Sequence, residues 1–246
     1  MNETTDFGFK KVPIDKKTDL VKAVFSSVAP NYDLMNDVMS LGLHRLWKRF
    51  ALQCADLYPH QTILDVAAGT GDLSFLIKKR YSENEVYLTD VNQGMLLKGK
   101  EKLTDQGLIK NVFYVQTNAE RLSFCSNYFD RIMIGFGLRN VTKKKESLAE
   151  FFRVLKPGGK LIILEFSKPL LPFLNKIYDA YSFKLLPWLG KIIAKDEDSY
   201  RYLVESIRKH PDQETLKKEL ISVGFEDCEY FNLSGGIVAV HTGYKY

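Results

Sequence analysis

The stretch Leu64-Asp65-Val66-Ala67-Ala68-Gly69-Thr70-Gly71-Asp72-Leu73 constrains the fold more than any other segment. A short apolar run meets two glycines one residue apart and then a helical pattern, so a strand must turn sharply into a helix. Glycines at such a turn let the backbone approach a ligand where side chains would block it, and helix-terminal N–H groups face that ligand. Further apolar runs at 63–66, 86–91, 112–116, 131–134 and 160–166 alternate with helical segments at 73–80, 94–105 and 143–155. This alternation predicts parallel βα units and a doubly wound α/β sheet. Lys156-Pro157-Gly158-Gly159 stops the last of those helices. A helix over 212–223 follows, and strands at 225–232 and 237–244 flank a turn at Leu233-Ser234-Gly235-Gly236, so the sheet should end on a hairpin.

Around this core the chain divides into a helical N-terminal cap over 1–55 and a domain over 56–246, with a helical insertion at 169–210, all one folding unit. Within the cap, 20–55 reads as helical with a loop around 30–35. The polar first twenty residues lack the apolar core of an export signal. The window 170–194 is the most apolar, but Pro172, Pro187 and four charges interrupt it short of the roughly 20 clean residues a membrane span needs. A net charge of +5, spread without arginine clusters, gives no nucleic-acid footprint. Cys54, Cys125 and Cys228 are odd in number and widely spaced, which argues against a disulfide framework or structural metal and for a reducing cytosol.

Asp90 ends the second strand about twenty residues after the glycine turn, with Val91 beside it. A carboxylate there can accept hydrogen bonds from both hydroxyls of a ribose. Two adenosine ligands suit this geometry, a dinucleotide and S-adenosylmethionine. A dinucleotide turn wants a third Gly or Ala, where this chain has Ser74. The methyl donor has no phosphate, and its amino-acid end suits Asp65 and Thr70 next to Gly69 and Gly71. After the third strand, Asn118-Ala119 followed by a Phe129-Asp130 strand start looks like the adenine-edge loop of methyltransferases. A methyltransferase is the better reading; a nicotinamide-dependent oxidoreductase and a donor-binding subunit without catalysis are the alternatives.

Two longer stretches go beyond fold-level analogy. Tyr32-Asp33-Leu34-Met35-Asn36-Asp37-Val38-Met39-Ser40, followed by His44 and Trp47, resembles the first signature of the ubiquinone/menaquinone biosynthesis C-methyltransferase family. Arg153 to Leu161, running on to Glu165-Phe166-Ser167, resembles the second, and Gly137-Leu138-Arg139-Asn140-Val141 and Tyr200-Arg201-Tyr202-Leu203 also match. The resemblance implies a class I S-adenosylmethionine-dependent methyltransferase fold, a seven-stranded mostly parallel sheet with a terminal antiparallel strand. It implies carbon methylation of a polyprenylated benzoquinol or naphthoquinol, such as 2-demethylmenaquinol to menaquinol. Its donor contacts fall on Thr70, Asp90, Asn118 and Ala119. Gly135 stands where many members have Ser, so only a backbone contact is available there.

A ring carbon becomes nucleophilic when the neighbouring hydroxyl loses its proton, and a phenol with reference pKa near 10 needs help to do so at neutral pH. Arg139 is the first candidate to hold the phenolate, with Asn140 fixing a ring oxygen. Glu165, His44 and Asp33 are candidate bases. The competing roles are a salt bridge holding its loop for Arg139, pairing with Arg153 or another cation for Glu165, and a cap-to-core contact for His44. Tyr32 to Trp47 reads as a lid carrying Tyr32 and Asn36 as substrate contacts. The stretch 170–194 fits a tail groove or an interfacial helix pair as well as plain core or dimer packing. Contact with the membrane surface and a homodimer or a larger quinone-synthesis assembly are compatible partners.

Overall fold

The structure is a computed structural model, and residues 3–29, 32–170 and 196–246 are described. A small hairpin, β1 (Thr4–Phe7) and β2 (Lys10–Pro13), opens the chain and leads into α1 (Ile14–Val28), α2 (Tyr32–Ser40) and α3 (His44–Cys54). The hairpin adds two strands to a cap that the sequence reads as helical over 1–55. Its strands carry too few apolar residues to announce themselves, and Phe7 stacks on Tyr202 at 4.2 Å from far along the chain. The cap loop is also shorter than the sequence suggests, because helix resumes at Tyr32 rather than after Met35.

The remaining elements are β3 (Thr62–Val66), α4 (Asp72–Arg80), β4 (Glu85–Asp90), α5 (Gln93–Asp105), β5 (Val112–Gln116), β6 (Phe129–Gly135), α6 (Lys144–Val154) and β7 (Leu155–Phe166), then α7 (Glu197–Lys209), α8 (Gln213–Ser222), β8 (Glu226–Leu233) and β9 (Val238–Tyr244). Seven strands form one sheet in the order β5-β4-β3-β6-β7-β9-β8. β9 runs antiparallel to both β7 and β8, and the other pairings are parallel. β7 starts directly after α6, so Lys156 to Gly159 lie in a register irregularity of the strand rather than in a separate turn. The α7 helix falls within the predicted insertion; of the stretch 170–194 all but Leu170 lies outside the described residues.

Side chains on the parallel strands alternate between two buried faces, as the period of two requires. Ile63, Leu88, Met133 and Ile162 pack with Trp47 and Ala51 of the cap, whereas Leu64, Ile132 and Leu161 pack against Leu148 and Phe151 of α6. The chain leaves β3 toward β4 on one side and returns from β5 to β6 on the other. Crossovers that diverge in this way open a crevice at the carboxyl ends of β3 and β6. Gly71 sets the helix beyond it: its φ is +75°, and a Cβ would lie 2.8 Å from Leu88 Cδ2 and 3.2 Å from Leu103 Cδ1. This glycine serves helix–sheet packing and does not border the crevice. Among the described residues no helix is long and apolar enough to cross a membrane.

Candidate active site

Backbone conformation shapes the crevice first. Ala67, just past β3, and Phe136, just past β6, have φ of +50° and +57° although neither is glycine. Non-glycine residues in that region cost free energy and cluster where a site needs the chain aimed in one direction. Between the two turns lies a cleft, about 790 Å³ when the open solvent in its mouth is included, lined by Gly69, Asp90, Val91, Asn118, Ala119, Gly135, Phe136 and Asn140, and roofed by Thr18, Lys22 and Phe25 of α1. Two smaller chambers adjoin it. One is bordered by Asp65, Thr70, Asp72 and Lys48. The other, a narrow space, is bordered by Met35, Asn36, Met39, His44, Arg139 and Phe166. Tyr32 borders all three.

Asp90 is anchored by its own loop. Gly69 N–H donates to Oδ2 at 3.0 Å and Asn92 N–H to Oδ1 at 2.8 Å. Each carboxylate oxygen keeps a further lone pair for a hydroxyl in the cleft. Burial raises the Asp90 pKa and those backbone donors oppose the rise. Asn118 shapes its own loop by accepting from Glu120 N–H at 2.9 Å through Oδ1.

Asp65 is 1% exposed, and burial pushes its carboxyl up to about 7 despite two bonds from Ser74. Ser74 donates to Oδ2 through both N–H and Oγ, at 3.1 and 2.6 Å. Ser74 therefore supports Asp65, which explains a hydroxyl where a dinucleotide turn has glycine. Oδ1 has no hydrogen-bond partner. An unpaired buried acceptor at the edge of a cleft fits a cationic group, and the ammonium of S-adenosylmethionine has the right charge. If that ammonium sits there, it favours the ionised carboxylate and lowers its pKa below 7. Titrating the donor into protein at pH 6, in buffers of differing ionisation enthalpy, should then release protons and show affinity falling as pH drops below about 7. Asp65→Asn should abolish the release; wild-type binding without proton release would take Asp65 away from the amine.

Arg139 and Glu165 meet each other. Glu165 lies near the end of β7 and Arg139 in the short 3-10 turn that follows β6, 1% and 5% exposed in their side chains, with Arg139 Nη1 3.0 Å from Glu165 Oε1. Glu165 also accepts from Arg139 N–H at 3.2 Å and Phe166 N–H at 2.9 Å, and Arg139 Nη1 donates to the Phe136 carbonyl. The salt bridge anticipated as the competing role is thus present, yet it does not retire Arg139. Its Nε is buried without a partner and the residue borders the third chamber. Glu165 borders none of the three spaces. Asn140 borders the main cleft, with Oδ1 accepting from Tyr202 Oη at 3.0 Å.

The cap is tied down by charge. Lys48 of α3 and Lys102 of α5 both donate to the Asp72 carboxylate. Burial alone would raise Asp72, but the two ammonium groups outweigh it and hold the carboxyl well below its usual range. Asp33 lies at the margin, its side chain 59% exposed, 3.5 Å from Lys102 and accepting from Thr70 Oγ1 at 3.3 Å. It borders none of the chambers, and Thr70 faces the Asp65 side. His44 does border the third chamber. Sequence reading missed Asp37, Asp72, Lys102, Phe136 and the α1 roof. Only the spacing of Thr18, Lys22 and Phe25 along one helix face carried a usable signal. Among the described residues no group of acidic, His or Cys side chains is arranged to hold a metal.

The sequence profile of the ubiE/COQ5 methyltransferase family matches residues 13–245. The chain is 59% identical over 250 residues to the ubiquinone/menaquinone biosynthesis C-methyltransferase UbiE of Coxiella burnetii (strain RSA 331 / Henzerling II), covering 100% of both chains. It is 57% identical over 245 residues to the protein of the same name from Yersinia enterocolitica, covering 99% and 98%. Among solved structures, a possible histamine N-methyltransferase from Thermotoga maritima superposes with a TM-score of 0.65 at 18% identity, covering 91% of this chain and 99% of that one. A SAM-dependent methyltransferase from Aquifex aeolicus gives 0.61 at 19% identity, covering 86% and 98%. At such identities the two structures speak for the fold alone.

Proposed function

The chain belongs to the ubiE/COQ5 methyltransferase family, and on that premise we propose that it holds S-adenosylmethionine in the main cleft and the quinol ring in the Arg139 chamber. The activity is S-adenosylmethionine-dependent C-methylation in ubiquinone/menaquinone biosynthesis, and the substrate is a quinol. Asp90 takes the ribose, the Asn118-Ala119 loop the adenine edge, and Asp65 with the Gly69 turn the amino-acid end. The donor supplies an electrophilic methyl group on a sulfonium. Holding the reacting atoms in line contributes several kcal/mol.

The observation that carries this reading is the place of Tyr32, a shared wall between the Asp90 cleft and the Arg139 chamber. Burial pushes the Tyr32 hydroxyl up to about 12, so it stays a neutral donor. Arg139 is a cation held rigid by Glu165 and aimed at a developing phenolate, which is the arrangement that stabilises charge without reorganisation. Phe136, Phe166 and Trp47 pack together at ring centroid distances of 4.9 to 6.2 Å and keep water from the ring. Exposed Leu34, Leu41, Leu43 and Leu46 on the same cap give a prenyl tail and a bilayer surface an apolar edge beside the chamber.

Incubating the pure chain with methyl-labelled donor and a short-chain demethylmenaquinol should place the label on a ring carbon. Donor binding without transfer would favour the non-catalytic subunit, and tight NADH binding in place of the donor would favour the oxidoreductase.

A further inference from the structure

We propose that the proton leaving the quinol hydroxyl is taken by Nδ1 of His44, with Asp37 as the positioning residue that sets the imidazole's tautomer. This rests on the quinol methylation read above and names its proton acceptor.

The α2–α3 corner is built to hold that ring. His44 N–H donates to Ser40 Oγ at 3.2 Å, and Ser40 Oγ–H donates to the Asn36 carbonyl at 2.6 Å. His44 Nε2 lies 2.9 Å from Asp37 Oδ1, and Arg45 Nη2 holds the other carboxylate oxygen at 2.7 Å. A carboxylate offers only acceptors, so the ring proton sits on Nε2 and the lone pair on Nδ1. Nδ1 is buried and has no hydrogen-bond partner. An acceptor left unpaired beside a substrate chamber calls for a donor from the ligand, and a quinol O–H is one.

The other candidates are occupied. Glu165 already accepts from the Arg139 side chain and from two backbone N–H groups. Asp33 stands outside the chamber, and Tyr32 keeps its proton. Burial, then Lys48, lowers the His44 pKa below 6.5, while Asp37 and Asp72 raise it; Arg45 sits on Asp37 and Arg139 borders the same chamber. The imidazole is therefore neutral at pH 7. When the quinol O–H bond breaks, the N–H bond forms at Nδ1 and the electron pair stays on oxygen facing Arg139. The imidazolium pairs with Asp37. The hydrogen displaced from the methylated carbon leaves to water as the ring oxygen regains its proton from Nδ1, so one proton is released per turnover and His44 ends neutral.

The first test needs no turnover. Nitrogen-15 spectra of histidine-labelled full-length protein should show His44 as the Nε2–H tautomer titrating below pH 6.5. Asp37→Asn should mix or reverse the tautomers. A wild-type Nδ1–H tautomer would overturn the proposal. In turnover, His44→Gln should lose about 10²–10⁴-fold in kcat, the span of general-base catalysis, while donor Kd stays within about twofold. Asp37→Asn should lose about 10²-fold or more, as a base held in the wrong tautomer does, with the acid limb of the pH profile displaced and KM little changed. Asp37→Asn also keeps the test alive if His44→Gln fails to fold. Full turnover in either variant would overturn the proposal and leave the methyltransferase reading standing. A wild-type chain that methylates no quinol, its tautomer intact, would instead take both down.

Discussion

Arg139→Ala is expected to destabilise the protein by about 3–5 kcal/mol and to remove most of its methyl transfer, two effects with different causes. The stability loss comes from Glu165, 1% exposed, whose charge would be left buried and without its cationic partner. Three donors reach Glu165, and the guanidinium is the one carrying charge. Removing both partners should therefore recover much of the stability, since a buried pair replaced by apolar groups is often neutral. Arg139→Met combined with Glu165→Leu makes that comparison, read from urea midpoints. Turnover should not return in the double variant, because the phenolate would still lack its cation; a loss of about 10²–10³-fold is the scale for one preorganised electrostatic partner. Recovery of stability without recovery of turnover separates the two roles. Recovery of both would reduce Arg139 to a structural ion pair, and full activity in Arg139→Ala would remove it from the chemistry.

How much of this was legible beforehand follows from how local each signal is. The sheet was readable because its strands are apolar runs bounded by Gly, Pro and Asp, and the cleft because Gly69 and Asp90 follow or end successive strands of one βαβ unit. Arg139 and Glu165 could be listed but not paired. They are 26 residues apart, and only the strand order, which puts β6 beside β7, brings them together. The Asp72 cluster joins α3, α4 and α5 across 24 and 30 residues, and in sequence its members look like ordinary charges on solvated helices. Asp37 was hidden by the same ambiguity: a carboxylate seven residues before His44 faces it only because the chain turns between α2 and α3. The β1–β2 hairpin was illegible because distant packing holds it, and local propensity has little say.

Asp90→Ala should weaken donor binding by about 10²-fold or more, since hydrogen bonds to a charged group are worth about 1.5–3 kcal/mol each and two ribose hydroxyls are involved. A fall in affinity alone would not prove the contact. Asp90 also accepts from Gly69 and Asn92 N–H groups, so its removal can loosen the turn that shapes the cleft. A thermodynamic cycle distinguishes the two causes. If the carboxylate binds the ribose, a donor analogue lacking both ribose hydroxyls should bind the wild type weakly and lose little more in Asp90→Ala. If the residue matters only through the turn, the analogue should suffer the same further loss as the natural donor. Asp90→Asn should fall between, because one oxygen remains to accept while the new amide group turns a donor toward a backbone N–H. Calorimetry with both ligands and the three proteins closes the cycle, and a coupling energy near zero would move the ribose away from Asp90.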